Sequence, residues 1–284
     1  MIMITMMRGF TPALRFNHHL ESKGSQTMRE VNAEAAKRVV VWFSCGAASA
    51  IAAKMAILDY PELPIILAYT DTGSEHPDSQ RFLTDCEKYL NHPVKILKSD
   101  IYKDTWAVWQ KAQYVGGIAG APCTGALKKG PREAFEDFDD LQVFGYTSEE
   151  THRANRFREQ NPHVMLDTPL IRHGLSKSDC LAMIERAGIE LPAMYNLGFK
   201  NNNCIPCSKA KSVGYWRLIK KNFPDQFERY AALCETLGKD GVKQIVINGE
   251  RRSLRDLDDA GPGRYEPEDI ECSLLCHVAE SKLT

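Results

Sequence analysis

The stretch that most constrains this chain is a strand that runs straight into a helix through small residues. Arg38–Phe43 (RVVVWF) is a short β-branched and aromatic run, the composition of a buried strand. Gly46–Leu58 (GAASAIAAKMAIL) follows at once and is rich in alanine, the strongest helix former. Between them lies Ser44-Cys45-Gly46-Ala47-Ala48-Ser49. Small residues there let backbone approach a phosphate, helix-start N–H groups point at it, and Ser44 and Ser49 add hydroxyl donors. The same turn also serves plain close packing of helix on strand, and this element alone leaves both readings open.

Further along, strands and helices alternate. Pro64–Tyr69, Val94–Leu97, Leu141–Gly145 and Val164–Pro169 are expected as strands. Helices are expected over Asp78–Leu90, Asp104–Tyr114, Lys128–Phe138 and Ser212–Leu237, with another opening at Ser176 in a Ser-x-x-Asp capping pattern. Gly116–Cys123 is expected as a flexible loop and Gln244–Ile247 as a short strand. The alternation predicts an α/β fold, a mostly parallel sheet with helices on both faces. The texture changes near residue 200, so three regions are expected. Residues 1–37 are an N-terminal extension, partly disordered, 38–200 a nucleotide-binding domain, and 201–284 a small cysteine-containing, α-rich C-terminal region.

The second polar constellation, Asp71-Thr72-Gly73-Ser74-Glu75-His76-Pro77, follows Thr70 at the carboxyl end of the second strand. Ligands of open α/β sheets bind at such ends. An acid, hydroxyls and a glycine there suit a ribose, a base or Mg²⁺; a simple polar turn is the alternative.

Net charge is −1 over 284 residues, so a polyanion would need a local basic patch. No apolar run reaches the roughly 20 residues of a membrane helix. The first 27 residues lack the apolar core and cleavage site of a secretory signal. Nine cysteines, an odd number without an export signal, are expected to be reduced thiols in the cytoplasm. Cys86, Cys180 and Cys234 fall at apolar helix positions and are expected in the core. Cys123, in a Gly/Ala/Pro loop, and Cys204-Ile-Pro-Cys207 carry ligand or nucleophile spacing. Lys209–Lys221 (KAKSVGYWRLIKK), with Arg251, Arg252 and Arg255, interleaves cations with Tyr215 and Trp216. It reads either as a phosphate-backbone grip with base stacking or as a solvated helix face over an aromatic core.

In order along the chain, these blocks resemble the PAPS reductase family of PP-loop ATP pyrophosphatases. Ser44–Ser49 stands where that family carries Ser-Gly-Gly-Lys-Asp-Ser, and Asp71-Thr72-Gly73 with Pro77 matches its segment after the second strand. Cys123-Thr124, Leu127-Lys128 and Pro131 resemble its cysteine loop. Gly145, Glu149, Glu150 and Arg153 resemble its Gly-x-Arg-x-x-Glu-Ser-x-x-Arg motif. Pro169-Leu170, Leu191-Pro192, Tyr195, Gly198-Phe199 and Cys204-x-x-Cys207 follow its path into a cysteine pair. Within the family, the ATP pyrophosphatases of DNA phosphorothioation systems are the nearest match.

The resemblance implies an adenine nucleotide alpha hydrolase-like fold and ATP with Mg²⁺ as substrate. It implies nucleotide contacts from Ser44, Cys45, Gly46, Ala47, Ala48, Ser49, Thr70, Asp71, Thr72, Gly73, Gly145 and Glu150. Catalytic roles fall to Asp71, Lys128, Arg153 and the three thiols, Cys123, Cys204 and Cys207. The implied chemistry is adenylation of an acceptor so that sulfur replaces an oxygen. A cysteine desulfurase or other sulfur donor is the implied partner, DNA or a DNA-modification protein stands on the acceptor side, and a homodimer is one arrangement.

Departures from the family pattern bear on this chemistry. Cys45 replaces a glycine, and Ala47 and Ala48 replace the usual Lys and Asp, removing a cation near the phosphates and a Mg²⁺ contact. Lys128, Arg153 or Arg156 would have to compensate. Relatives with a [4Fe–4S] cluster use two adjacent cysteines plus CxxC, whereas this chain has Cys123-Thr124. Three cysteines would leave one iron open to carry sulfide. Alternatives are a closed zinc site joining Cys204 and Cys207 to Cys272 and Cys276, or a metal-free persulfide on Cys123 or Cys207 beside Lys128, Lys129 and Lys209. Two other functions stay open: a PAPS or APS reductase working with thioredoxin through Cys272 or Cys276, and a non-catalytic nucleotide-binding subunit.

Overall fold

A computed structural model describes residues 35–283, apart from 118–119, 239–240, 262, 264, 267–269 and 272. The expected N-terminal extension and Cys272 therefore lie, wholly or nearly so, outside the described residues.

β1 (Arg38–Trp42) is the centre of a five-stranded parallel sheet in the order β3-β2-β1-β4-β5. The others are β2 (Ile65–Thr70), β3 (Val94–Leu97), β4 (Asp140–Phe144) and β5 (Met165–Asp167). β1 pairs Val39 with Ile65 of β2 on one side and with Leu141 of β4 on the other. Val39, Val40 and Val41 have no solvent exposure, as expected for a parallel strand covered on both faces.

One face carries the larger core. Val39, Val41, Leu67, Leu141 and Val143 pack under α1 (Ala47–Asp59), α2 (Ser79–Leu90), α8 (Lys177–Arg186) and α12 (Leu274–Leu283). Cys86 and Cys180 are buried in it, as their helix positions predict. The opposite face is thinner: Val40, Trp42 and Ala68, with Leu97, Phe135 and Phe144. Phe157 of α6 (Thr151–Gln160) packs on Phe144 there, with ring centroids 5.1 Å apart.

A second core, rich in aromatic rings, is shared between α3 (Thr105–Ala112) and the chain beyond residue 194. Trp109 packs edge-on against Tyr230, which stacks on Trp216 at 5.0 Å. Cys234 is buried here, again as expected.

Three expectations from sequence are corrected. The helix expected over Lys128–Phe138 is displaced: the helical run starts at Pro122, inside the stretch read as a loop, and ends at Glu133. It passes through α4 (Pro122–Thr124), a π turn at Gly125–Lys129, and α5 (Gly130–Glu133). Pro122 sits in the first turn, where a missing N–H is harmless. Pro131 has no N–H for the carbonyl of Leu127, and its ring would crowd that carbonyl in a regular helix. The wider π turn, with Gly130 N–H bonded to Gly125 O five residues back, accommodates it.

Ser212–Leu237 is not one helix but two, α10 (Val213–Asn222) and α11 (Pro224–Thr236), because Pro224 cannot continue the ladder. The expected strand Val164–Pro169 shortens to Met165–Asp167, since Pro169 opens the short α7 (Pro169–Arg172). By contrast, Ser176 and Asp179 cap α8 as expected: Ser176 Oγ accepts from Asp179 N and Asp179 Oδ2 accepts from Ser176 N. Among the described residues no helix is long and apolar enough to cross a membrane.

Candidate functional site

In the order β3-β2-β1-β4-β5 the chain leaves β1 toward one side of the sheet and returns to build β4 on the other. The crevice outside the carboxyl ends of β1 and β4 is the place where open α/β sheets bind ligands. A cleft of about 910 Å³ lies there. Its lining includes Ser44, Gly46, Ala48, Ser49, Thr70, Lys128, Gly145, Glu150 and Arg153 from the expected site.

The β1–α1 turn is organised by Ser49. Its Oγ accepts from the N–H of Ser44 at 3.0 Å and donates to the carbonyl of Gly46 at 2.9 Å. The side chain is 3% exposed, so its hydroxyl is spent mainly inside the turn, shaping it. Cys45 and Ala47 are buried and face the core, and they offer the cleft backbone only. Cys45 holds φ 53°, a left-handed conformation that suits the glycine of the family pattern and costs an L-residue about 1–2 kcal/mol. Gly145, just past β4, is required by close approach: a Cβ there would lie 2.9 Å from Ser49 Cα.

The cleft is basic although the chain as a whole is not. Lys128, Lys129, Arg132, Arg153, Arg156, Lys177 and Lys200 line it, against Glu75, Glu133, Glu149 and Glu150. Arg153 pairs with Glu150 and lies over the Tyr146 ring at 5.2 Å. Arg132 is set from below by a polar relay: Trp42 Nε1 donates to Gln142 at 3.1 Å, Gln142 donates to Glu136 at 2.9 Å, and Glu136 faces Arg132 at 3.2 Å. Positive charge is thus supplied by the Pro122–Glu133 run, α6, the first residue of α8 and Lys200, opposite a loop that lacks lysine.

Asp71, Thr72 and Gly73 do not line the cleft. Asp71 accepts from the N–H of Gly73 at 2.8 Å and pairs with Lys98 at 2.9 Å, so its carboxylate is engaged in its own turn. Gly73, at φ +63°, would press a Cβ to 2.1 Å from Lys103 O. Thr72 turns instead to sulfur, with Oγ1 3.1 Å from Cys204 Sγ.

Of the eight cysteines described, Cys123, Cys204 and Cys207 are half-buried and the other five are buried. The CxxC turn is pinned at both ends: Ile205 N–H bonds to Ser74 O at 2.8 Å, and Cys207 N–H bonds to Tyr215 Oη at 2.7 Å. Cys123 Sγ lies 3.8 Å from Ser208 Oγ. Burial, then the nearby Glu75 carboxylate, pushes the Cys204 thiol up to about 12.

Lys128 reaches this group from the cleft wall. The side chain is half-buried, and burial is the largest single influence on its ammonium. That burial opposes the charge, yet Cys204, Glu75, Cys207 and Cys123 together outweigh it and hold the pKa above its ordinary value.

Among the described residues no three or more of His, Cys, Asp and Glu converge as metal ligands. Cys276 belongs to the core under α8, where Arg186 Nη2 lies 2.7 Å from its sulfur, and Cys207 packs on the second core. The described residues therefore do not join Cys276 to the CxxC pair as a closed zinc site requires. Tyr215 and Trp216 are core residues, at 4% and 0% exposure, which removes the base-stacking reading of that helix. Lys220 there pairs with Asp258 at 2.7 Å.

Sequence reasoning missed three residues that line the cleft, Asn202, Lys177 and Lys200; Tyr195 and Glu75, named only within longer motifs, also line it, and Glu75 lies between it and Cys204. The polar triplet Asn201–Asn203, set directly before a buried CxxC turn, was the available signal. Compared with known proteins, the chain matches no family model, and no curated protein matches it significantly.

Proposed function

We propose that the chain is a PP-loop ATP pyrophosphatase working in sulfur incorporation. MgATP occupies the cleft with its phosphates toward the β1–α1 turn. There the N-terminus of α1 offers free N–H groups and partial positive charge. An acceptor oxygen attacks the α-phosphorus, the α–β bridging bond breaks, and pyrophosphate leaves as the basic wall offsets the developing charge. Lys128, Arg132, Arg153 and Arg156 take the place of the missing loop lysine. The three thiols beyond Lys128 accept the outer sulfur of a donor persulfide, such as that of a cysteine desulfurase, as its S–S bond breaks and the donor leaves as a thiol, in the cytoplasm; DNA is the acceptor that the sequence resemblance favours.

The observation that carries this reading is the position of Lys128. It belongs at once to the wall of the nucleotide cleft and to the surroundings of Cys204, Cys207 and Cys123. One half-buried cation thereby links an anion-binding crevice to the three thiols. Because the sulfurs do not converge as ligands, the sulfur half is built on thiols, with no step through a metal.

The test is product analysis with MgATP, with and without duplex DNA. Pyrophosphate release is expected, matched by an equal amount of AMP that is free or carried on the acceptor. ADP and phosphate, or binding with no turnover under either condition, contradicts the reading, and the latter result selects a non-catalytic subunit.

A further inference from the structure

Asn202 is 8% exposed and lies where the cleft meets the cysteine segment. Its Nδ2 donates to the Cys45 carbonyl at 2.8 Å and to Ser79 Oγ at 2.9 Å. These two bonds use both amide hydrogens and fix the orientation of the amide, because the reversed group would set its oxygen against the Cys45 carbonyl. Oδ1 is left buried without a hydrogen-bond partner. Folded proteins keep few such groups, since a buried acceptor with no donor bears its full desolvation penalty. On the wall of a ligand cleft, the natural source of the missing donor is the ligand.

We infer that Asn202 is a specificity residue of the cleft, whose Oδ1 accepts a hydrogen bond from an N–H or O–H of a bound nucleoside. The inference rests on the nucleotide reading above and deepens it. Two donors of an adenine nucleotide share this chemistry, the 6-amino group of the base and a ribose hydroxyl. The phosphates carry no such donor, so Asn202 reads the nucleoside end of the ligand. Its location gives the contact a second consequence. Asn202 stands two residues before Cys204 and is tied to the β1–α1 turn through Cys45 and to the start of α2 through Ser79. A ligand bonded to Oδ1 therefore braces the segment that presents the Cys204 thiol.

The experiment is calorimetric titration of the full chain and its Asn202→Ala variant with four nucleotides. These are ATP, 2′-deoxy-ATP, 3′-deoxy-ATP, and the purine riboside triphosphate that lacks the 6-amino group. The expected result is that one analogue binds the unaltered chain about tenfold more weakly than ATP. Asn202→Ala is expected to bind that analogue and ATP equally, and the analogue that fails identifies the donor. If all three analogues match ATP on the unaltered chain within about twofold, the inference is overturned, even where the variant does not fold. It is also overturned if Asn202→Ala weakens ATP and every analogue by the same factor, because Asn202 is then a structural brace alone. Absence of ATP binding to the unaltered chain overturns the nucleotide reading and this inference with it. ATP binding without discrimination among the analogues overturns this inference only.

Discussion

Three residues of the site answer different physical questions. Cys45 holds a left-handed φ of 53° with its thiol buried, so its backbone is strained while its side chain fills core. Cys45→Ala keeps the strain, whereas Cys45→Gly removes it. Glycine is expected to be the more stable variant by about 1 kcal/mol in urea unfolding, despite its smaller volume. Gly145 has the opposite logic. Gly145→Ala places a methyl against Ser49 Cα and Ala48, and is expected to cost about 1–3 kcal/mol and to weaken nucleotide binding by displacing the loop. Lys128 tests chemistry: Lys128→Met is expected to lower pyrophosphate release by roughly a hundredfold while the thermal midpoint moves little. A loss of folding in place of a loss of rate would mark Lys128 as structural.

Among the elements, the Pro122–Glu133 run determines where Lys128 points. The π turn inserts one extra residue into a helical path, shifting everything after it by about 100° round the axis. Deleting Gly125 restores α spacing, swings Lys128 away from Cys204, and is expected to reduce turnover about as much as Lys128→Met does. Circular dichroism should show helix content retained in that variant. The sequence predicted helix at Lys128 but began it too late, because the Gly/Ala/Pro stretch Gly116–Cys123 was read as a loop. The pattern that did carry through was the central one: a β-branched run, small residues and an alanine-rich helix led to β1, its turn and α1. The cleft's basic wall was legible only in part. Lys128 and Arg153 came from motif position, but Lys177 and Lys200 come from segments far apart in sequence, which no local pattern joins. Asp71 was expected in the site by its place after β2 and instead holds its own turn with Lys98, a choice between local partners that spacing does not reveal.

For the molecule as a whole, the C-terminal helix is fastened to the main core through Asp179. Burial opposes the Asp179 charge, but bonds from Ser176 and Ser273 outweigh it and hold the carboxyl below its ordinary value. A carboxyl with a depressed folded-state pKa stabilises the fold above its unfolded value, near 4, and loses that contribution as pH falls through the folded one. Asp179→Asn is therefore expected to be less stable than the unaltered chain at pH 7, with the two converging below about pH 4. Thermal melts across pH 3–7 check this, and a stability gap unchanged by pH would contradict it.

The crevice between β1 and β4 is proposed as a nucleotide site facing three thiols. A crystal structure with Mg²⁺ and α,β-methylene ATP, which resists cleavage between the α and β phosphates, tests it most directly. Phosphates are expected at the Ser44–Ser49 turn, the α-phosphate on the side of Lys128, and the nucleoside within hydrogen-bond reach of Asn202. A nucleotide bound elsewhere, or seated with its phosphates away from α1, would contradict it.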